Sequence, residues 1–76
     1  MTWILIDPNE LPQISRDVLF YSTDWIDDEN HKGIKLGYIQ DNSIITSNWN
    51  FNDGEYYTNQ NDLIPHAYME IPEFKT

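Results

Sequence analysis

Short runs of apolar, β-branched and aromatic residues, each cut off by proline, glycine or an Asn-Asp cluster, leave this chain little but strands to build with. Trp3-Ile4-Leu5-Ile6 is stopped by Asp7-Pro8, and Pro8 and Pro12 bias the residues before them away from helix. Helix has only residues 9 to 17 to claim, and Pro12 confines it there to one turn. Residues 17 to 23 read as a central strand, because apolar side chains fall on both of its faces. Gly33 opens a further strand at 34 to 40, in which Ile34, Leu36 and Tyr38 share a face and Gly37 marks a bulge or a close approach. Asp41-Asn42-Ser43 turns it back into 44 to 49 as a hairpin, and Asn52-Asp53-Gly54 turns the chain again into 55 to 58. Residues 59 to 62 read as loop. The last strand, 66 to 71, alternates until Pro72, and its triplet Ala67, Met69 and Ile71 is the expected core face. The expected fold is mainly β, a small antiparallel sheet of four to five strands with at most one short helical turn near the N-terminus.

At 76 residues the chain makes a single domain, 1–76, since so short a chain buries only about 60% of its unfolded surface and cannot divide that core. Three Trp, five Tyr and three Phe supply enough bulk for a core despite the high charge. The absence of cysteine excludes disulfides, thiolate metal sites and thiol nucleophiles, and suits a reducing cytoplasm. Neither a signal peptide nor a membrane-spanning helix is expected, because the N-terminus lacks a basic region and no long apolar run occurs. The mature chain is expected to be the whole chain.

Thirteen acidic residues against four basic ones give a net charge of −9, which repels phosphates and anionic membranes and attracts basic protein surfaces. Direct nucleic-acid binding and membrane binding are therefore not expected. The charge is concentrated: residues 24 to 29 hold four acids and no base, and residues 49 to 76 hold five acids and one lysine. Asp24, Asp27, Asp28 and Glu29, with Trp25 between them and Asp53 and Glu55 downstream, form the expected partner-binding set. Trp25 is either an exposed anchor flanked by acids or a ring tucked in to pin the loop to the sheet. Asp53 and Glu55, two apart on a strand, would stand about 7 Å from each other, near the separation of successive phosphates, so partial nucleic-acid mimicry is one way to occupy a basic channel.

Catalytic, metal and cofactor readings assemble poorly. An EF-hand starting at Asp24 would have Ile26 at its third place and Glu29 at its sixth, where a ligand and a glycine are needed. Asp27, Glu29 and His31 leave a looser metal site conceivable, but solvated surface is the expected state of such a loop. His31 or His66 with Ser22, Ser43 or Ser47 would supply the residue types of a hydrolytic triad, yet no nucleophile elbow or glycine-rich oxyanion loop accompanies them. The pairs Asp53 and Glu55, or Asp27 and Glu29, would need a cleft to act as acid and base. No enzyme, cofactor or metal is expected. Trp49, Phe51, Tyr56 and Tyr57 among Asn48, Asn50, Asn52 and Asn59 suggest a stacking platform; without basic companions it suits a sugar or small ligand better than nucleic acid.

Several segments together resemble a small domain family of unassigned function found in bacteriophages and prophages: Trp3-Ile4 followed by Leu11-Pro12, Val18-Leu19-Phe20-Tyr21, Gly37-Tyr38, and the closing Ala67-Tyr68-Met69-Glu70-Ile71-Pro72-Glu73. Tyr68 stands where that family usually has Trp, Glu70 where it has a first Pro, and Phe74 where it often has another; His66 lies one position before the family's histidine. The resemblance implies a viral or prophage origin and no chemistry. With the charge, it points to an acidic phage accessory protein that acts without catalysis in the host cytoplasm. Its partner would be the basic surface of a host protein, such as the nucleic-acid channel of a CRISPR or restriction nuclease or a polymerase. The alternatives are a virion or assembly component that self-associates, as in a homodimer through open strand edges, and a small-ligand or sugar-binding module.

Overall fold

The computed structural model describes residues 2–28, 30–50 and 52–72, the side chains of Trp49 and Asn50 excepted. Six strands form one antiparallel sheet, β1 Ile4–Leu5, β2 Ile14–Tyr21, β3 Ile34–Gln40, β4 Ser43–Asn50, β5 Glu55–Asn61 and β6 Ala67–Glu70, in the spatial order β1-β6-β2-β3-β4-β5. The fold class is thus the expected one, with one strand more than the four or five expected. The last strand inserts between the first two, so Tyr68 lies opposite both Ile4 and Phe20. No membrane-spanning helix occurs among the described residues.

Register decides which face becomes the core. Directly opposed residues share a face, so the pairs Phe20 with Lys35 and Tyr68, Val18 with Gly37, and Ile39 with Ile44 put all of these on one side. On that side Val18, Phe20 and Ile39 are fully buried, joined by Ile14 and Ile44 and covered by Ile6, Leu11 and Trp25 from the connecting segments. Gly37 has no side chain because none fits: a Cβ there would stand 2.1 Å from the Ile45 carbonyl oxygen and 3.0 Å from the Phe20 ring. Close approach, not a bulge, is its role; the irregularity lies in β2 between Ile14 and Val18.

Four local expectations need correction. Residues 9 to 17 form no helix, because Ile14, 2% exposed and opposite Ile39, starts β2 three residues before the expected strand begins. The one helical turn among the described residues is a 3₁₀ turn, Thr23–Trp25, where the Ser22 hydroxyl accepts from the Asp24 N–H and so ends the strand. Residues 59 to 61 are strand, not loop: Asn59, Gln60 and Asn61 continue β5 opposite Thr46, Ile45 and Ile44, and Asn59 Oδ1 accepts from Asn48 Nδ2 at 2.5 Å. The triplet of β6 faces away from the core; Ala67 is buried, but Met69 is half-buried and Ile71 lies beyond the strand at 41% exposure. Tyr68, opposite Phe20, is the residue of β6 that packs on the core.

The turn at Asp41-Asn42 has φ of 52° and 63°, the left-handed pair that a two-residue hairpin requires, and Asp and Asn tolerate it better than most residues. Glu73 to Thr76, which include the end of the closing motif, lie outside the described residues.

In a urea titration, Tyr68→Ala is expected to destabilise the protein by about 2–4 kcal/mol and Met69→Ala by about 1 kcal/mol. A larger loss for Met69→Ala than for Tyr68→Ala would reverse the assignment of faces.

Candidate functional site

Between β2 and β3 the acidic segment is a closed loop fastened at both ends. The Ser22 N–H donates to the Gly33 carbonyl at 2.9 Å, and Gly33 takes a φ of 67° with its Cα so near the Ser22 carbonyl that a Cβ would come within 2.4 Å of that oxygen. Inside the loop, the Asn30 N–H donates to Asp27 Oδ1 at 2.8 Å and the Asp27 N–H to the Asn30 carbonyl at 3.1 Å. Asn30 then clamps the start of β3: its Nδ2 donates to the Ile34 carbonyl at 3.1 Å and its Oδ1 accepts from the Ile34 N–H at 3.3 Å. Trp25 is the anchor, only 6% exposed and part of the core cluster. Its tucked-in position excludes the role of exposed anchor. Its indole Nε1 is buried without a hydrogen-bond partner, which costs about 1–3 kcal/mol.

Across from this loop, β4 leaves β3. Their pairing runs from Gln40 opposite Ser43 to Gly37 opposite Thr46, while β4 and β5 stay paired onward to Asn50 opposite Glu55. The arm that results and the acidic loop border one open groove of about 880 Å³, lined by Asp24, Trp25, Asp27 and Asn30 from the loop, Leu19, Ile34, Lys35 and Leu36 from β2 and β3, and Ser47, Asn48, Tyr56 and Tyr57 from the arm. Lys35 is its inner cation. The ammonium lies 5.4 Å from the centre of the Trp25 ring and donates to Asn48 Oδ1 at 2.9 Å.

Of the expected partner-binding residues, Asp24, Trp25 and Asp27 line this groove, and Asp28 is exposed on the same loop without lining it. Glu29 lies outside the described residues. Asp53 and Glu55 are exposed and do not line the groove, although Glu55 precedes Tyr56, which does. Asp53 sits in the turn ahead of β5, so the extended spacing needed to imitate successive phosphates is not met by this pair. Phe51 is outside the described residues, as is the Trp49 side chain; Tyr56 and Tyr57 are the aromatic residues of the proposed platform seen at the groove. Sequence reasoning passed over Lys35 and Asn30. Lys35 carried a signal: at period two from Gly37 and Ile39, it is a lysine on a core-facing row.

Among the described residues, no hydrolytic constellation forms around the histidines. His66 Nε2 is 3.0 Å from the Thr23 hydroxyl and its ring tilts against Tyr21 at 6.2 Å, a structural role at the entry to β6, while His31 is exposed. Among the described residues, no group of three His, Asp or Glu comes together to hold a metal ion.

Away from the groove, an ion pair joins β2 to β6. Arg16 forks onto Glu70, its Nε donating at 2.9 Å and a second nitrogen closing the pair. These hydrogen bonds hold the Glu70 carboxyl below the usual carboxylate range and raise the Arg16 guanidinium above its own. The pair's contribution is therefore present above the unfolded carboxylate pKa and lost as pH falls through the lowered pKa of Glu70. Within the groove itself, Lys35 offsets part of the charge of Asp24 and Asp27. Comparison with known proteins finds no matching family model, curated sequence or solved structure.

Gly33→Ala is expected to lower the melting temperature, with about 1–2 kcal/mol lost to the left-handed backbone and more to the clash with Ser22, and to speed amide exchange from residue 22 to 34. Unchanged melting and exchange would show that the loop is closed by other contacts.

Proposed function

We propose that this protein is a non-catalytic acidic module that binds a basic surface of another protein, with the groove between the acidic loop and the β4–β5 arm receiving lysine or arginine side chains. The observation that supports this most is the lining itself: two carboxylates, Asp24 and Asp27, beside three aromatic rings and apolar side chains. Such a lining suits a side chain with an aliphatic stem and a cationic head. Lys35 illustrates the fit from within the chain, its ammonium over the Trp25 ring and its hydrogen bond taken by an asparagine. Net charge adds steering, since a chain at −9 attracts a basic partner over a longer range than the groove contacts reach.

The resemblance to a phage and prophage family extends the proposal to a host protein in the bacterial cytoplasm, with inhibition of a nucleic-acid-binding defence system such as a CRISPR or restriction nuclease as the purpose. Occupying a basic channel needs only clustered acids, and the acidic loop supplies them without the regular phosphate spacing that Asp53 and Glu55 lack. A sugar or small-ligand reading is weaker, because the amides at the groove are committed internally: Asn48 bonds Lys35 and Asn59, and Asn30 bonds Ile34. The reading as a self-associating virion or assembly component draws instead on the uncovered side of the sheet.

A charge-matched pair of variants tests the groove. Asp24→Asn with Asp27→Asn is expected to weaken binding of an arginine-rich peptide at least about tenfold at 150 mM salt, whereas Asp7→Asn with Asp62→Asn, the same change in net charge away from the groove, should weaken it less than about twofold. Fluorescence anisotropy with a labelled peptide reads both. Equal losses would mean that only total charge matters and that the groove is not a site.

A further inference from the structure

The two edges of the sheet end differently. β1 is two residues long, which leaves little main chain for another strand to join. At the other edge β5 runs seven residues, Glu55–Asn61, and among the described residues it has a strand neighbour on one side only. Every second residue of such a strand turns its N–H and C=O groups outward. Proteins usually blunt a long edge with a proline, a bulge or a lysine. β5 has none of these: it reads Glu-Tyr-Tyr-Thr-Asn-Gln-Asn, its pairing with β4 is unbroken from end to end, and its single charge stands at its first position. From Ser47 opposite Thr58 to Asn50 opposite Glu55 the arm is only two strands wide, since β3 pairs with β4 no further than Thr46. A two-stranded ribbon is marginal by itself, and a third strand stabilises it. Residues 55 to 60 are all exposed, Tyr56 at 73% and Tyr57 at 48%, so the arm is open to one.

We infer that β5 takes an added strand, an extended lysine- or arginine-bearing segment of the same basic protein whose side chains the groove receives. The inference rests on the groove reading and extends it from side chains to main chain. Tyr56 and Tyr57 belong both to β5 and to the groove lining, so a segment hydrogen-bonded along this edge, about 4.8 Å from β5, lies beside the outer rim of the groove. Charge decides the occupant. Asp53, Glu55 and Asp62 bracket the edge, and residues 49 to 72 contain no lysine or arginine. Two copies pairing along β5 would bring both sets of carboxylates to one seam with no cation between them, and like charges across a strand pair are destabilising. A basic segment meets the same carboxylates with opposite charge, while its main chain bonds the outward groups of the edge.

Amide exchange, read by NMR with and without an arginine–threonine alternating peptide of about ten residues, tests this. With the peptide bound, every second amide of residues 55 to 61 is expected to exchange at least about fivefold more slowly. Two further peptides carry N-methyl groups on alternate residues, in the two possible phases. The one whose remaining N–H groups face β5 should bind as the unmethylated peptide does, and the other at least about tenfold more weakly. A peptide that binds and is weakened by Asp24→Asn with Asp27→Asn, yet leaves exchange in β5 unaltered or responds equally to both methylation phases, would overturn the added strand and leave the groove standing. Absence of binding would remove both. Protection of the same amides that grows with protein concentration, without peptide, would give the edge to a second copy and overturn the inference as well.

Discussion

Burial of Trp25 against the Phe20 face of the sheet is the interaction on which the remaining architecture depends. A buried tryptophan removes about 150–250 Å² from water, worth at most about 4–6 kcal/mol, and even after the unpaired indole N–H is charged against it the balance is large for a domain of this size. Through this ring the acidic loop becomes part of the core. The ring sets the loop that carries Asp24, Asp27 and Asp28 against the core, and the part-buried hydrogen bonds between Asn30 and Ile34 tie it to β3. The same ring covers the sheet and gives Lys35 a surface to lie on. Trp25 thus links packing, loop order and groove chemistry.

From that constraint follows a division of labour between the two sides of the sheet. The covered side carries the charged strand residues and ends, toward β4 and β5, in a ladder of polar side chains running from Lys35 through Asn48 to Asn59. The other side carries the apolar row Met69, Leu19 and Leu36 and, toward β4 and β5, the polar residues Gln40, Ser43, Ser47, Thr58 and Gln60.

Much of the fold was legible because strand period and turn chemistry were both strong. The hairpin at Asp41-Asn42 and the strand of residues 34 to 40 emerged from local residues alone, since left-handed turn positions and β-branched alternation are short-range signals. The face of β6 was not legible. Ala67, Met69 and Ile71 are more apolar than Tyr68 and Glu70, and only the register against Phe20, set by a strand about fifty residues away, reveals that the tyrosine points inward. Residues 59 to 61 are strand against local propensity for a related reason: asparagine favours turns, and here the cross-strand side-chain bonds of Asn59 and Asn61 to β4 outweigh that preference. At the site, the acidic loop was visible as charge density, while Lys35 and the arm carrying Tyr56 and Tyr57 came to it only through the parting of β3 from β4, a long-range event that no window of sequence contains.

The most direct test is whether the acidic loop is a fixed wall or a solvated tether. Backbone nitrogen relaxation on the isotopically labelled protein measures this residue by residue. A loop held by Trp25, Asn30 and Gly33 predicts order parameters for residues 22 to 28 and 30 to 33 near the value of about 0.85 typical of rigid backbone, and values below about 0.6 across the same residues would contradict it.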